Sequence, residues 1–343
     1  MRLDFSRADQ VVRQGLQDGA YTAACLLVGR GEKVLFRRAY GRIGLEDDSL
    51  PVNEQTLFDL DSLTKPVVTG LLAMRALEAG KLCLNDRLGS FIEAPADKAD
   101  ITIAQLLTHT SGLPTGLHLW RRAADPSQAA RVILDAPLSA PPGEAVQYGC
   151  AGYILLGQLL ECLYGMELSS LAEQEISWPL GMMRTCYCPK DGNAAATEMQ
   201  DDGRCLQGVV HDENARFLGG VGGNAGLFGT MDDLALLMQM LSAQGSLPDG
   251  SRYLCRASVR LMTEPAAPGR SLLFALPAQT GFAGDLFPSG TVGHTGFTGC
   301  SMAFVPQENI YLIFLTNRIC PSRDNPAIHR IRRLLHNAVY AAV

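Results

Sequence analysis

Tyr21-Thr22-Ala23-Ala24-Cys25-Leu26-Leu27-Val28-Gly29 is an almost wholly apolar run, and Arg30-Gly31-Glu32 separates it from a second β-compatible run, Lys33 to Tyr40. Two such runs around a Gly-bearing turn read as a hairpin. On its N-terminal side, Ala8, Val11, Val12 and Leu16 recur at helical spacing before Gly19, which predicts a helix over 7–18. Strand patterns return only near the other end, at 271–275, 291–294, 301–305 and 311–316. The turn Pro306-Gln307-Glu308-Asn309 joins the last two, and a helix over 326–342 ends the pattern. Helical periods fill the middle, at 67–79, 103–108, 152–163, 231–243 and 256–262. The expected class is α/β of the α+β kind. One antiparallel sheet, flanked by N- and C-terminal helices, takes residues 1–60 and 270–343; a mainly helical lobe takes 61–269, with a cleft between them.

Composition narrows the function. With 343 residues, 47% hydrophobic and 19% charged, the chain can bury a large core, which excludes intrinsic disorder. A net charge of -6 offers no excess of positive charge to hold a phosphate backbone, so no nucleic-acid partner is expected. The longest apolar stretches, at 154–164 and 310–316, fall short of the ~20 residues that cross a bilayer. Met1 to Asp9 mixes acidic and basic residues without an apolar stretch, so a cytoplasmic protein with no membrane span is expected. The ten cysteines, scattered through a long chain, read as reduced thiols. Cys186, Cys188, Cys205 and His211 include zinc-ligand types, but one residue between the first two is not ligand spacing, and no metal is expected. Gly220 to Ala225 satisfies Gly-x-Gly-x-x-Ala without a preceding strand or a following acid, so no dinucleotide cofactor is expected either.

Ser62-Leu63-Thr64-Lys65 carries the chemistry. One helical turn sets an amine beside a hydroxyl, and a serine needs such a base because its hydroxyl is a poor nucleophile at neutral pH. Chance supplies roughly 0.3 such pairs in a chain of this composition, so the pair alone decides little. Ser62 on its own reads equally as a helix N-cap. Pro66 so close behind predicts a distorted first turn. His109 and Ser111, in Thr108-His109-Thr110-Ser111-Gly112, read as a helix C-terminal turn rather than as a second catalytic pair.

Three further blocks change the weight of Ser62 and Lys65. Ile101 to Pro114 holds the Thr-His-Thr-Ser-Gly loop, Pro142 to Tyr148 precedes a helix, and His294-Thr295-Gly296-Phe297-Thr298-Gly299 lies between strands. In this order, from about residue 20 to 320, the set resembles the serine β-lactamase-like family of penicillin-recognising hydrolases: class C β-lactamases, D-alanyl-D-alanine carboxypeptidases and related esterases. The stretches from Val210 and from Gly219 are similar to a subgroup of low-molecular-weight penicillin-binding proteins.

The resemblance implies a β-lactamase/transpeptidase-like fold and a serine hydrolase that forms an acyl-enzyme on a small ester, amide or β-lactam. It implies Ser62 as nucleophile, Lys65 as its base and Tyr148 as second proton carrier. His294-Thr295-Gly296 takes the place of a Lys-Thr-Gly block, where Thr295 meets a substrate carboxylate or carbonyl. The N–H groups of Ser62 and Phe297 form the oxyanion hole. Two positions depart from the pattern: Cys150 stands where the family has Asn, and Asn224 where the subgroup commonly has His. A thiol makes only weak hydrogen bonds, so Cys150 weakens peptide and lactam contacts. The alternatives implied are a catalytically weakened penicillin-binding or sensor protein and a D-alanyl-D-alanine carboxypeptidase.

Overall fold

The computed structural model describes residues 3–277 and 281–343. Ten strands are described: β1 Ala23–Arg30, β2 Lys33–Gly41, β3 Phe58–Asp59, β4 Cys186–Tyr187, β5 Leu227–Gly229, β6 Pro265–Ala267, β7 Arg270–Ser271, β8 Val292–Thr295, β9 Ser301–Val305 and β10 Ile310–Thr316. The two chain ends build one antiparallel sheet in the order β2-β1-β10-β9-β8. Its central register sets Cys25 opposite Leu315, Leu26 opposite Phe314 and Leu27 opposite Ile313.

The near-continuous apolar character of β1 is explained by burial on both faces, since side chains alternate along a strand. Ala23, Cys25 and Leu27 enter the large core shared with the helical middle. Ala24, Leu26 and Val28 face a second core, with Ala8 and Val12 of α1 (Ser6–Gln17) and Ile328, Leu335 and Val339 of the C-terminal helix Ala327–Tyr340. Each buried Leu or Val of this layer contributes about 1.5–3 kcal/mol. The sheet is thus a middle layer, and its edge strand β8 brings His294 and Thr295 to the rim of a cleft.

The expected strand over 271–275 is shorter. Only Arg270–Ser271 pairs, with β6, and Ala275 bridges to Gly293. The Ser271 hydroxyl donates to the Met262 carbonyl at 2.6 Å and accepts the Phe274 N–H at 2.9 Å, so a side-chain turn replaces the ladder. The helix expected over 67–79 is π-helical over Lys65–Gly70 before α2, Leu71–Glu78. Pro66 has no N–H for the first turn, and the distortion expected from it is present. Among the described residues no helix is long and apolar enough to cross a membrane.

Candidate active site

Three short connections converge on the turn Asp61–Leu63, which precedes the π-helical segment. β3 pairs with β5, and the Leu60 N–H donates to the Leu227 carbonyl at 2.9 Å, which fixes the approach to Ser62. The β8–β9 turn docks on the same approach, where the Thr298 hydroxyl donates to the Asp59 carbonyl at 2.7 Å. Gly296 permits this contact, because a Cβ there would lie 2.6 Å from the Leu60 carbonyl oxygen. Gly223 serves likewise: a Cβ would lie 2.1 Å from the Tyr153 carbonyl oxygen, and this close packing delivers the Asn224 carbonyl to the site.

The fully buried Lys65 donates from Nζ to Ser62 Oγ at 2.9 Å and to the Asn224 carbonyl at 3.1 Å, with Cys150 Sγ at 3.8 Å. Burial works against its ammonium form, but the acidic groups Cys150, Tyr148 and Asp61 outweigh burial and hold the amine above its ordinary range. A neutral amine is the form that can accept a proton, so this upward shift works against Lys65 acting as a base near neutral pH.

Tyr148 lies in the cleft, 40% exposed, with the Lys65 ammonium 5.1 Å and the Arg270 guanidinium 4.9 Å from its ring centre. Desolvation pushes its phenol up, against the pull of Lys65 and a hydrogen bond with Ser62. His109 holds the segment: its carbonyl accepts the Gln147 N–H at 2.8 Å, its Nδ1 accepts the Gly149 N–H at 3.4 Å, and its ring lies 4.5 Å from that of Tyr148. Cys150 begins the helix Ala151–Tyr164, where its carbonyl accepts the Ile154 N–H at 3.0 Å, and its thiol makes the long contact to Lys65 and a hydrogen bond with the Asn224 side chain.

His294 is buried, and its pKa falls well below the usual imidazole range because of burial and the nearby Arg270 and Lys65 cations. It is therefore neutral. Its Nδ1 sits 3.0 Å from the Thr295 carbonyl, which can only accept, so Nδ1 carries the proton and Nε2 is an acceptor. This residue supplies no cation where the family's Lys would. Instead the cleft, about 310 Å³, is lined by Ser62, Tyr148, Thr295, Arg270, Arg318 and Arg332 among others. The three arginines are buried, and none has a carboxylate ion-pair partner among the described residues. Sequence motifs gave no sign of them, because an arginine on a short strand or terminal helix has no spacing signature.

The expected oxyanion donors differ from each other. No protein acceptor is found for the Ser62 N–H among the described residues, whereas the Phe297 N–H donates to Asp61 Oδ2 at 2.5 Å. The Phe297 ring, 47% exposed, has the near-parallel His211 ring at 5.8 Å and the Arg318 guanidinium at 4.3 Å from its centre. His211 is held in turn by Glu198 at 2.9 Å, and Arg323 donates to both Glu198 and Glu213. His211 thus supports a site wall, and no group of three or more metal-ligating side chains occurs among the described residues.

A sheet closed by both chain ends, a Ser-x-x-Lys turn at the cleft and a His-Thr-Gly edge strand beside it together define a serine hydrolase of the penicillin-recognising type. The chain belongs to the β-lactamase family, whose sequence profile matches residues 8–336. It is 29% identical over 360 residues to a protein of Escherichia coli strain K12 provisionally named D-alanyl-D-alanine carboxypeptidase, covering 92% of this chain and 82% of that one. It is 28% identical over 372 residues to the N-acetylmuramyl-L-alanine amidase of Bacillus subtilis strain 168, covering 94% and 83%. Among solved structures it shares its fold with EstCE1, a hydrolase with promiscuous acyltransferase activity, at a TM-score of 0.79 and 24% identity over 97% of each chain.

Proposed function

We propose that the protein hydrolyses a small ester or amide through an acyl-enzyme on Ser62. The observation that carries this reading is the 2.9 Å contact between Lys65 Nζ and Ser62 Oγ beside an unengaged Ser62 N–H. In this scheme Lys65, once neutral, takes the Ser62 proton as Oγ attacks the acyl carbon. Tyr148 passes a proton to the leaving group as the acyl–heteroatom bond breaks. Water then attacks the acyl-enzyme, giving its proton to Tyr148, and as the bond to Ser62 Oγ breaks to release the carboxylic acid, Ser62 recovers its proton from Lys65. Thr295 meets the carbonyl or carboxylate side of the substrate, and the Ser62 and Phe297 amides receive the oxyanion.

A second reading is a peptide-directed D-alanyl-D-alanine carboxypeptidase or muramyl amidase, as the names of the two relatives suggest. Arg270, which has no carboxylate partner among the described residues, supports it, because a buried guanidinium calls for an anionic partner such as a substrate carboxylate. A third is a penicillin-binding sensor with little turnover, supported by the weak hydrogen bonding of Cys150. Intact-mass measurement after exposure to activated esters, β-lactams, a D-alanyl-D-alanine peptide and an N-acetylmuramyl-L-alanine peptide separates them. Transient adducts with turnover of esters support the first reading, and preferential turnover of either peptide supports the second. A lasting β-lactam adduct without turnover supports the third. No adduct and no turnover with any of them would overturn all three.

A further inference from the structure

We propose that Asp61 restrains acylation: its carboxylate holds the Phe297 oxyanion donor in the resting enzyme, and the substrate carbonyl must displace it. The inference rests on the hydrolase reading of the site. Asp61 directly precedes Ser62, is buried, and has φ +45°, a left-handed conformation that costs energy for any residue with a side chain. Its own N–H is tied to Asp59 Oδ1 at 2.9 Å, while its Oδ2 accepts the Phe297 N–H at 2.5 Å. Of the two amides expected to receive the developing oxyanion, one is open and the other already bears a negative oxygen.

The Phe297 amide cannot turn away to escape this partner. Its carbonyl accepts Arg318 Nε at 2.7 Å, and Gly296 is pressed against the Leu60 carbonyl, so the backbone on both sides of the N–H is held. The Asp61 side chain is the part that can rotate. An oxyanion forming while the carboxylate is still in place is repelled, and it also lacks the donor that the carboxylate occupies. A small ester with no other handle on the cleft therefore acylates slowly. A larger substrate can use binding elsewhere in the cleft to move Asp61 aside.

The test uses Asp61→Gly and Asp61→Asn, both suited to a left-handed backbone. The rate of Ser62 labelling by a fluorophosphonate is measured with peptide mapping, alongside kcat/KM for p-nitrophenyl acetate and the melting temperature. Because losing one oxyanion donor costs roughly 10²–10³-fold, freeing it should raise the labelling rate of Asp61→Gly by ~10- to 10³-fold. Asp61→Asn should fall between, since the charge is gone but an amide still competes for the N–H. A merely structural role would not speed acylation, and a gain that came only from easing the proton off Lys65 would be equal in the two variants because both remove the charge, so Asp61→Gly must exceed Asp61→Asn; if Asp61→Gly fails to fold, Asp61→Ala takes its place. Labelling of Ser62 at the wild-type rate or slower in the folded variants overturns this inference and leaves the hydrolase reading standing. Absence of label on Ser62 in every form, wild type included, overturns the nucleophile assignment and the inference with it.

Discussion

Lys65 donates to Ser62 Oγ rather than accepting from it: the amine sits 2.9 Å away, fully buried, and a second of its hydrogens goes to the Asn224 carbonyl at 3.1 Å. Replacing Lys65 by Ala removes the proposed proton acceptor and should slow acylation of Ser62 by ~10²–10⁴-fold. Circular dichroism should report an intact fold. Near-wild-type acylation would mean that Ser62 and Lys65 are a chance pair.

The pH profile follows from the same contact. Cys150, Tyr148 and Asp61 overcome burial and raise the amine, so the neutral, reactive form is scarce at neutral pH and grows as pH rises. Below the amine's pKa, kcat/KM for an ester should climb by roughly tenfold per pH unit through neutrality into the alkaline range. A plateau reached below pH 7 would show that the base is not a raised lysine.

His109 is expected to position Tyr148 without touching substrate. Its carbonyl and Nδ1 accept the N–H groups of Gln147 and Gly149, the residues on either side of Tyr148. His109→Ala keeps the carbonyl but loses the ring and its bond, so kcat should fall by about 10-fold while Ser62 remains labelled. His109→Asn, which restores an acceptor, should recover part of that loss. Equal activity in all three proteins would remove His109 from the site.

The extent of legibility differs between fold and site for physical reasons. The continuous apolar run of β1 and the helical spacing of Ala8 and Val12 extend over several residues, and both reappear in the sheet and α1. The strand expected over 271–275 shortens because one hydroxyl, that of Ser271, competes with the ladder for backbone partners. Ser62 and Lys65 are one turn apart and so meet as their spacing suggests. Asp61 carries no sequence signal although it stands next to Ser62, because its bond to Phe297 joins residues 236 positions apart and depends on a left-handed backbone. Arg270 reaches Tyr148 through a similar long-range approach with no local pattern.

Acid stability should depend on Glu198. The Arg323 guanidinium, with help from His211, holds the Glu198 carboxyl down to about 2 from an ordinary 4.5. A carboxylate lowered on folding adds stability that is present above its unfolded pKa and lost as pH falls through the folded value. With Arg323 39% exposed, solvent screening limits this contribution to about 1–3 kcal/mol. Urea titrations should show this share of wild-type stability fading between about pH 4.5 and about pH 2, with a flatter profile in Glu198→Gln. Identical slopes in the two proteins would place the Arg323 pairing outside the stability balance.

The position where the sequence leaves the family pattern gives a test of substrate preference. Cys150 Sγ lies 3.8 Å from Lys65 Nζ, the one polar contact its thiol makes to the proposed catalytic pair. An asparagine amide in its place would offer one acceptor to the lysine and two donors toward a substrate carbonyl, where a thiol offers weak versions of each. Amides depend on such orienting bonds more than activated esters do, because their leaving group is poorer and their carbonyl less reactive. One lost bond of this kind is worth roughly 0.5–1.5 kcal/mol, or about 2- to 13-fold in rate. Cys150→Asn should therefore raise β-lactam or peptide acylation relative to ester hydrolysis by about that factor. The side chain has room to adapt, since Cys150 is only partly buried at the start of its helix, although overpacking against Lys65 would show as a lower melting temperature. The measurement is the ratio of acylation rates for a penicillin and an activated ester in the two proteins. An unchanged ratio, or one shifted toward esters, would mean that residue 150 does not orient the substrate.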